Sequence, residues 1–267
     1  MNPSSPSSIL ITGASSGIGA SLAKQFAAKT HDLVLVARRG DVMEDLARDL
    51  RAEFKVDVLV IPCDLTAPDA VDQIKAALSA ANVTVDYLVN NAGVANFGQF
   101  VERSTDDLHM LVKLNVDALF RLTSAFLPDF AANKRGGILN VASVAGLVPT
   151  PGYAVYGATK AFVVSLTESL AEEMRPHNVN VVALCPGLVD TPLVDKVAVQ
   201  SEAAQDVPRQ LLLDADKVAK QGYQALMKGE VISVAGVSYQ AFTSWVRAMP
   251  RSVSRRATGL MNQIVKF

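Results

Sequence analysis

Residues 8–19 read Ser8-Ile9-Leu10-Ile11-Thr12-Gly13-Ala14-Ser15-Ser16-Gly17-Ile18-Gly19. A short apolar run meets a glycine-rich turn, and a segment of helical period follows. The glycines are spaced Gly-x-x-x-Gly-x-Gly, not the commoner Gly-x-Gly-x-x-Gly. The physics is the same. Glycine lets the chain turn tightly and lets backbone approach a ligand closely. The helix start offers unpaired N–H groups and the positive end of the dipole. The stretch therefore predicts a phosphate cradle in the turn from Thr12 to Gly19. Taken alone it would also suit a tight turn with no ligand, so the rest of the chain must decide.

Working outward, six more short apolar runs follow: Leu33–Ala37, Val56–Pro62, Tyr87–Asn90, Gly137–Ala142, Asn180–Cys185 and Val231–Val234. They lack polar alternation, as strands buried on both faces do. The intervening segments are long enough for the crossover helices that parallel strands require. The expected fold class is α/β: a doubly wound, Rossmann-like, mostly parallel sheet of about seven strands, with helices on both faces. Ligands of such sheets bind at the carboxyl ends of the strands. One domain over 1–267 is expected, with a substrate lid over 188–213 and a helical extension over 235–267.

The chain has 267 residues, 50% of them hydrophobic, enough for one large core. Its formal net charge of −1 leaves no global basic field, so nucleic acid is not an expected partner. Cys63 and Cys185 each sit at a strand end and read as reduced core thiols. His31, His109 and His177 are scattered, and no cluster has metal-ligand spacing. Met1–Ser8 lacks the pattern of a signal peptide, and no run of about 18 apolar residues predicts a membrane span. The default expectation is a cytoplasmic protein. After Glu230 no acidic residue remains, but Arg247, Arg251, Arg255, Arg256 and Lys266 do. That is a solvated helix face, or a contact for an acidic ligand, a partner or a membrane surface.

The second strand ends in Arg38-Arg39, where NAD-binding folds place a carboxylate for the ribose 2′-hydroxyl. Two guanidinium groups suit a 2′-phosphate instead, which points to NADP(H). Asp64-Leu65 follows the third strand, where a carboxylate could meet the adenine amino group. Asn90-Asn91-Ala92-Gly93 follows the fourth, and its small residues would let a cofactor lie against backbone.

Tyr156 and Lys160 are four residues apart in a predicted helix over 153–175, so they share a face. A phenol ordinarily titrates near ~10. A neighbouring ammonium stabilises the phenolate and makes the pair a tunable proton donor. Ser143 ends the fifth strand, where its hydroxyl can donate to a carbonyl oxygen. Asn115 is polar within an apolar helical run and needs partners.

Together these residues resemble the short-chain dehydrogenase/reductase family. The match runs through Thr12 to Gly19, Asp64, Asn90 to Gly93, Asn115, Ser143, Tyr156, Lys160, Pro186-Gly187 and Thr191, in the family's order over roughly residues 8–192. The resemblance implies a tetrad of Asn115, Ser143, Tyr156 and Lys160. It implies cofactor contacts at Gly13, Ser15, Gly17, Ile18, Gly19, Asp64, Asn91, Val189 and Thr191, with Tyr156 and Lys160 also meeting the nicotinamide ribose. Arg38 resembles the basic position of NADP-preferring members. Ser16 departs from members that carry a second basic residue there.

The activity implied is reduction of a ketone or aldehyde by NADPH, reversible as alcohol oxidation. Ser143 would hold the carbonyl oxygen, Tyr156 would protonate it, Lys160 would lower the tyrosine pKa, and Asn115 would hold a relay water. The alternative of a different class is a catalytically silent dinucleotide-binding or scaffold protein of the same fold. Leu193, Val194, Val197, Val199 and Leu211 to Leu213 suggest an apolar cover and so an apolar substrate. Phe242, Trp245, Val246 and Met249 would close one side. Val116, Phe120, Phe162 and Leu166 add a further apolar helix face; the resemblance implies a homodimer or homotetramer there.

Overall fold

The computed structural model describes residues 7–198 and 212–264. Residues 199–211 of the expected lid, with Val199 and Leu211, lie outside the described residues, as does Lys266. Seven strands form one sheet: β1 (Ser8–Thr12), β2 (Asp32–Ala37), β3 (Val58–Pro62), β4 (Val85–Asn90), β5 (Gly137–Val141), β6 (Asn180–Pro186) and β7 (Ile232–Ala235). Their order is β3-β2-β1-β4-β5-β6-β7, and every pairing is parallel. The sheet is thus wholly parallel, where the sequence predicted it mostly so. The chain moves outward from β1 to β3, then restarts at β4 on the other side of β1. That reversal opens a crevice above the carboxyl ends of β1 and β4.

The helices are α1 (Gly17–Ala27), α2 (Gly40–Phe54), α3 (Ala70–Ala80), α4 (Thr105–Val112), α5 (Leu119–Asn133), α6 (Ala154–Met174), α7 (Pro192–Ala198), α8 (Ala215–Lys228), α9 (Val237–Ala248) and α10 (Arg251–Ile264). Successive strand residues feed opposite layers. Ile9 and Ile11 join the core containing Leu22, Phe26 and Met43, whereas Leu10 joins the core containing Ile74, Leu122 and Phe126. Leu33 and Leu35 divide from Val34 and Val36 in the same way. This is why the strands read as unbroken apolar runs: both faces are covered. Phe26 is fully buried, and truncation there should cost about 3–5 kcal/mol.

Strand limits differ from the predicted ones by a residue or two. Val56 is buried yet precedes β3, because packing rather than ladder pairing holds it. A larger difference lies in the predicted long helix around Leu108–Phe126. There α4 and α5 are joined by a π-helical stretch, Lys113–Ala118. Asn115 sits within it, fully inside the protein. Such wide turns re-aim side chains and occur often at functional sites. Cys63 and Cys185 are free and buried.

Candidate active site

A cavity of about 870 Å³ runs along the carboxyl ends of the strands, in the range typical of ligand sites. At one end lie the β1–α1 turn and the two arginines that follow β2. At the other lie Ser143, Tyr156 and Lys160.

The turn is fixed from inside. Thr12 Oγ1 donates to Val89 O at 3.2 Å and accepts from the amides of Asn91 and Ala92, both at 3.0 Å. The Asn91 side-chain amide donates to Thr12 O at 2.8 Å and Gly13 O at 3.2 Å. Gly13 has φ +64°, and a Cβ there would stand 2.8 Å from Ala92 Cα. Gly17 has φ +55°, and a Cβ there would press on Thr191 at 3.0 Å. Both positions therefore exclude ordinary side chains on conformation and on space. Gly13, Ser15, Ser16, Gly17 and Ile18 line the cavity; Gly19 lies behind, against the Gly13 carbonyl. The Asn91 side chain, expected as a cofactor contact, is committed to bracing the turn, although the residue does line the cavity.

Arg39 donates through Nη2 to Ser15 O at 3.3 Å and Ser15 Oγ at 3.1 Å, so it closes over the turn. Arg38 lines the same end. Asp64 receives the Thr66 amide at 3.0 Å and the Thr66 hydroxyl at 2.8 Å. Those bonds hold its carboxyl below the usual range, helped by the charge of Arg38. Leu65 borders the cavity beside it.

The other end is built from side chains. Ser143 follows β5 and caps a short 3-10 turn, Val144–Gly146, accepting the Ala145 amide at 3.1 Å. Its hydroxyl donates to Pro186 O at 3.4 Å, a long bond that is readily exchanged. Tyr156 and Lys160 project from α6 into the same wall, as their spacing predicts. Burial pushes the Tyr156 phenol above its ordinary pKa, and a hydrogen bond with Ser143 pulls it part of the way back. Lys160 Nζ lies 5.8 Å from the centre of the Tyr156 ring and donates to Val141 O at 2.8 Å. Burial lowers the Lys160 ammonium to about 8.

Asn115 does not line the cavity but stands behind it. Its Oδ1 accepts the Val94 amide at 2.9 Å, and its Nδ2 donates to Val94 O at 2.9 Å and to Thr159 Oγ1 at 3.2 Å. It thus joins the loop after β4 to α6 next to Lys160. A Cβ at Gly93 would meet Asn115 Oδ1 at 3.2 Å and Lys160 Nζ at 3.5 Å, so the two polar groups converge on one point.

The cover comes from the far side. Leu213 donates its amide to Leu188 O at 2.8 Å and accepts that of Asp190 at 2.9 Å, so residues 188–190 and 213 are paired. Val189 and Thr191 line the cavity, with Leu193 and Val194 of α7. Of the four C-terminal residues expected to close the site, Phe242 faces it, whereas Trp245 is exposed, Val246 is buried elsewhere and Met249 is half-buried outside the cavity. Tyr239 and Thr258 border the cavity without having been singled out. The Tyr239 hydroxyl accepts the Leu188 amide at 3.2 Å, and its ring lies against Gly187. Tyr153 was also missed; it lines the cavity, with its ring centre 6.0 Å from that of Tyr156.

Residues 7–202 match the family model for short chain dehydrogenases. The chain belongs to the short-chain dehydrogenase/reductase family. Among curated relatives, the oxidoreductase UcpA of Escherichia coli is 35% identical over 222 residues, covering 79% of this chain and 84% of its own. Among solved structures, a short-chain dehydrogenase from Sphingobium yanoikuyae in complex with NADPH is 33% identical with a TM-score of 0.80, covering 96% of this chain and 95% of that one. A bulky-bulky ketone specific alcohol dehydrogenase from Comamonas testosteroni is 31% identical with a TM-score of 0.75, covering 92% and 96%. As a short-chain dehydrogenase/reductase the protein is an oxidoreductase of the alcohol–carbonyl couple. The cradle fits a dinucleotide: the glycine turn at Gly13, Ser15, Ser16, Gly17 and Ile18 lines one end of the cavity, and two arginines border the same end.

Proposed function

We propose that the protein is an NADPH-dependent reductase of ketones or aldehydes, reversible as alcohol oxidation, with Tyr156 as proton donor. The observation that carries this reading is the meeting of Ser143, Tyr156 and Lys160 on one wall of a cavity whose opposite end holds Arg38 and Arg39. The bound cofactor supplies the hydride. Gly13, Ser15, Ser16, Gly17 and Ile18 would hold its pyrophosphate, Asp64, Leu65 and Asn91 its adenosine end, and Val189 and Thr191 its nicotinamide end. Arg38 and Arg39 would pair with a 2′-phosphate, a choice supported by the NADPH found with the Sphingobium relative.

The remaining chemistry belongs to side chains. Ser143 turns its hydroxyl from Pro186 O to the substrate oxygen. Tyr156, kept protonated by burial, gives its proton to that oxygen as negative charge develops. Lys160 stabilises the phenolate left behind and would hold ribose hydroxyls. Asn115 acts as a positioning residue that fixes α6 and the loop after β4; a water it holds would return the proton. This is general acid catalysis with a pre-placed hydrogen-bond donor.

Val144, Val148, Pro149, Leu193, Val194 and Phe242 give the substrate end an apolar lining. That supports a medium-sized apolar carbonyl, in keeping with the bulky ketones of the Comamonas relative. Phe120 and Phe162 are exposed on α5 and α6, which supports assembly as a homodimer or homotetramer through those helices. We read 1–267 as one Rossmann-like unit, and two buried free thiols suit the reducing cytoplasm.

The test is NADPH oxidation against a panel of ketones and aldehydes, with NADH alongside. Turnover of bulky apolar ketones with strong preference for NADPH is expected. Tight NADPH binding without turnover of any carbonyl would instead identify a silent dinucleotide-binding protein.

A further inference from the structure

The helices that close the cavity carry a second surface on their outer side. On α9, Tyr239 and Phe242 face the cavity and Thr243 and Val246 are buried. The opposite face is Val237, Ala241, Trp245 and Ala248, spaced as one helical stripe and exposed throughout. Val237 is 81% exposed and Trp245 59%. On α10, Thr258 lines the cavity, while Val253 and Leu260, two turns apart, are exposed. Arg247, Arg251, Arg255 and Arg256 on the same two helices are also exposed, and none forms an ion pair among the described residues.

Charge is partitioned along the chain. Residues 231–267 hold five basic and no acidic side chains, a formal +5, so a whole-chain charge of −1 leaves −6 on residues 1–230. Helices that expose both apolar residues and unpaired arginines suit the headgroup region of an anionic bilayer. The rest of the molecule would be repelled from that surface, which orients it. A second copy fits worse. A twofold contact through this segment would bring two sets of basic side chains together, with no carboxylate on the segment to separate them.

We propose that α9 and α10 form a peripheral docking surface for anionic phospholipid membrane. Trp245, Val237 and Leu260 enter the headgroup boundary while the arginines meet lipid phosphates. No helix among the described residues is long and apolar enough to cross a membrane, so the contact is superficial. Since the same two helices border the cavity, docking sets the cavity's cover against the lipid.

Trp245 is the chain's one tryptophan, so it reports directly. The full-length protein is mixed with vesicles of phosphatidylcholine alone or with 30% phosphatidylglycerol, and both flotation and Trp245 emission are followed. The expected result is flotation and a blue shift with the anionic vesicles only, both lost at high salt. Arg251→Gln, Arg255→Gln and Arg256→Gln together should weaken partitioning by about 100-fold, at roughly fivefold per charge, with thermal melting unchanged. Trp245→Ser should weaken flotation and leave turnover of a water-soluble ketone intact. No flotation and no blue shift with anionic vesicles would overturn the proposal. So would a Trp245 emission that shifts with protein concentration alone, which would mean that a second copy covers the face. The flotation and emission readouts do not depend on the carbonyl reading being right.

Discussion

The two ends of the cavity are made of different material. The phosphate end is mostly backbone: a turn with two left-handed glycines, braced by Thr12 and Asn91. The chemical end is mostly side chain: Ser143, Tyr156 and Lys160, delivered by β5 and α6. A backbone cradle tolerates almost no added volume but is indifferent to charge. A side-chain wall keeps its shape when one group is deleted but loses its chemistry. The same kind of mutation should therefore do different things at the two ends.

The largest expected effect is at the chemical end. Tyr156→Phe should lower kcat by at least the ~10²–10⁴-fold of general acid catalysis, with the Kd for NADPH, measured by titration of fluorescence, little changed. Gly13→Val is the counterpart. Its side chain would meet Ala92 at a φ that branched residues avoid, so NADPH binding itself should fail. If Gly13→Val bound NADPH normally and lost only turnover, the division between the two ends would be wrong.

A smaller effect separates charge from shape at the phosphate end. Arg38→Ser with Arg39→Ser should raise KM for NADPH by about 10–100-fold, the worth of hydrogen bonds to a charged group, and leave KM for NADH nearly unchanged. Steady-state kinetics with both cofactors decides it; equal losses for the two would deny the 2′-phosphate role.

The smallest effect is on pH dependence and stability. Burial lowers Lys160 from 10.5 to about 8. Below pH 8 both Lys160 and Tyr156 carry their protons, the state needed for reduction, so kcat/KM for reduction should be level near neutrality and fall above about pH 8. The same shift means that the unfolded chain binds more protons than the folded one between about pH 8 and 10.5. Stability from this group therefore rises with pH through that window, and its cost is fully present below 8. Lys160→Met should be inactive yet at least as stable as the wild type at pH 7, by up to about 2 kcal/mol. Calorimetry at pH 7 checks this; a clear loss of stability would make Lys160 a structural residue.

Much of this was legible in the sequence because each signal had a local cause. β1 and its glycine turn are local, since strand, turn and helix start lie within a dozen residues. Tyr156 and Lys160 share a helix face by spacing alone. What was not legible depends on contacts between distant segments. The Asn91 amide could have met a ribose or a carbonyl, and only the fold shows that Thr12 and Gly13 take it. The π-helical turn at Asn115 leaves no mark in residue type. Tyr239 gave no signal, because its partner, Leu188, is 51 residues away. Among Phe242, Trp245 and Val246, helical phase alone decides which faces the cavity, and the start of α9 was not fixed closely enough to set that phase.

The central claim is that the two ends act on one substrate, the first holding NADPH and the second protonating a carbonyl. Its most direct measurement is deuterium transfer from NADPH labelled at the transferable nicotinamide position, with a bulky apolar ketone and the purified wild-type protein. One deuterium per molecule of alcohol, at the former carbonyl carbon, is expected, with formation of that alcohol suppressed in Tyr156→Phe. Tight NADPH binding with no labelled alcohol from any carbonyl tried would contradict it.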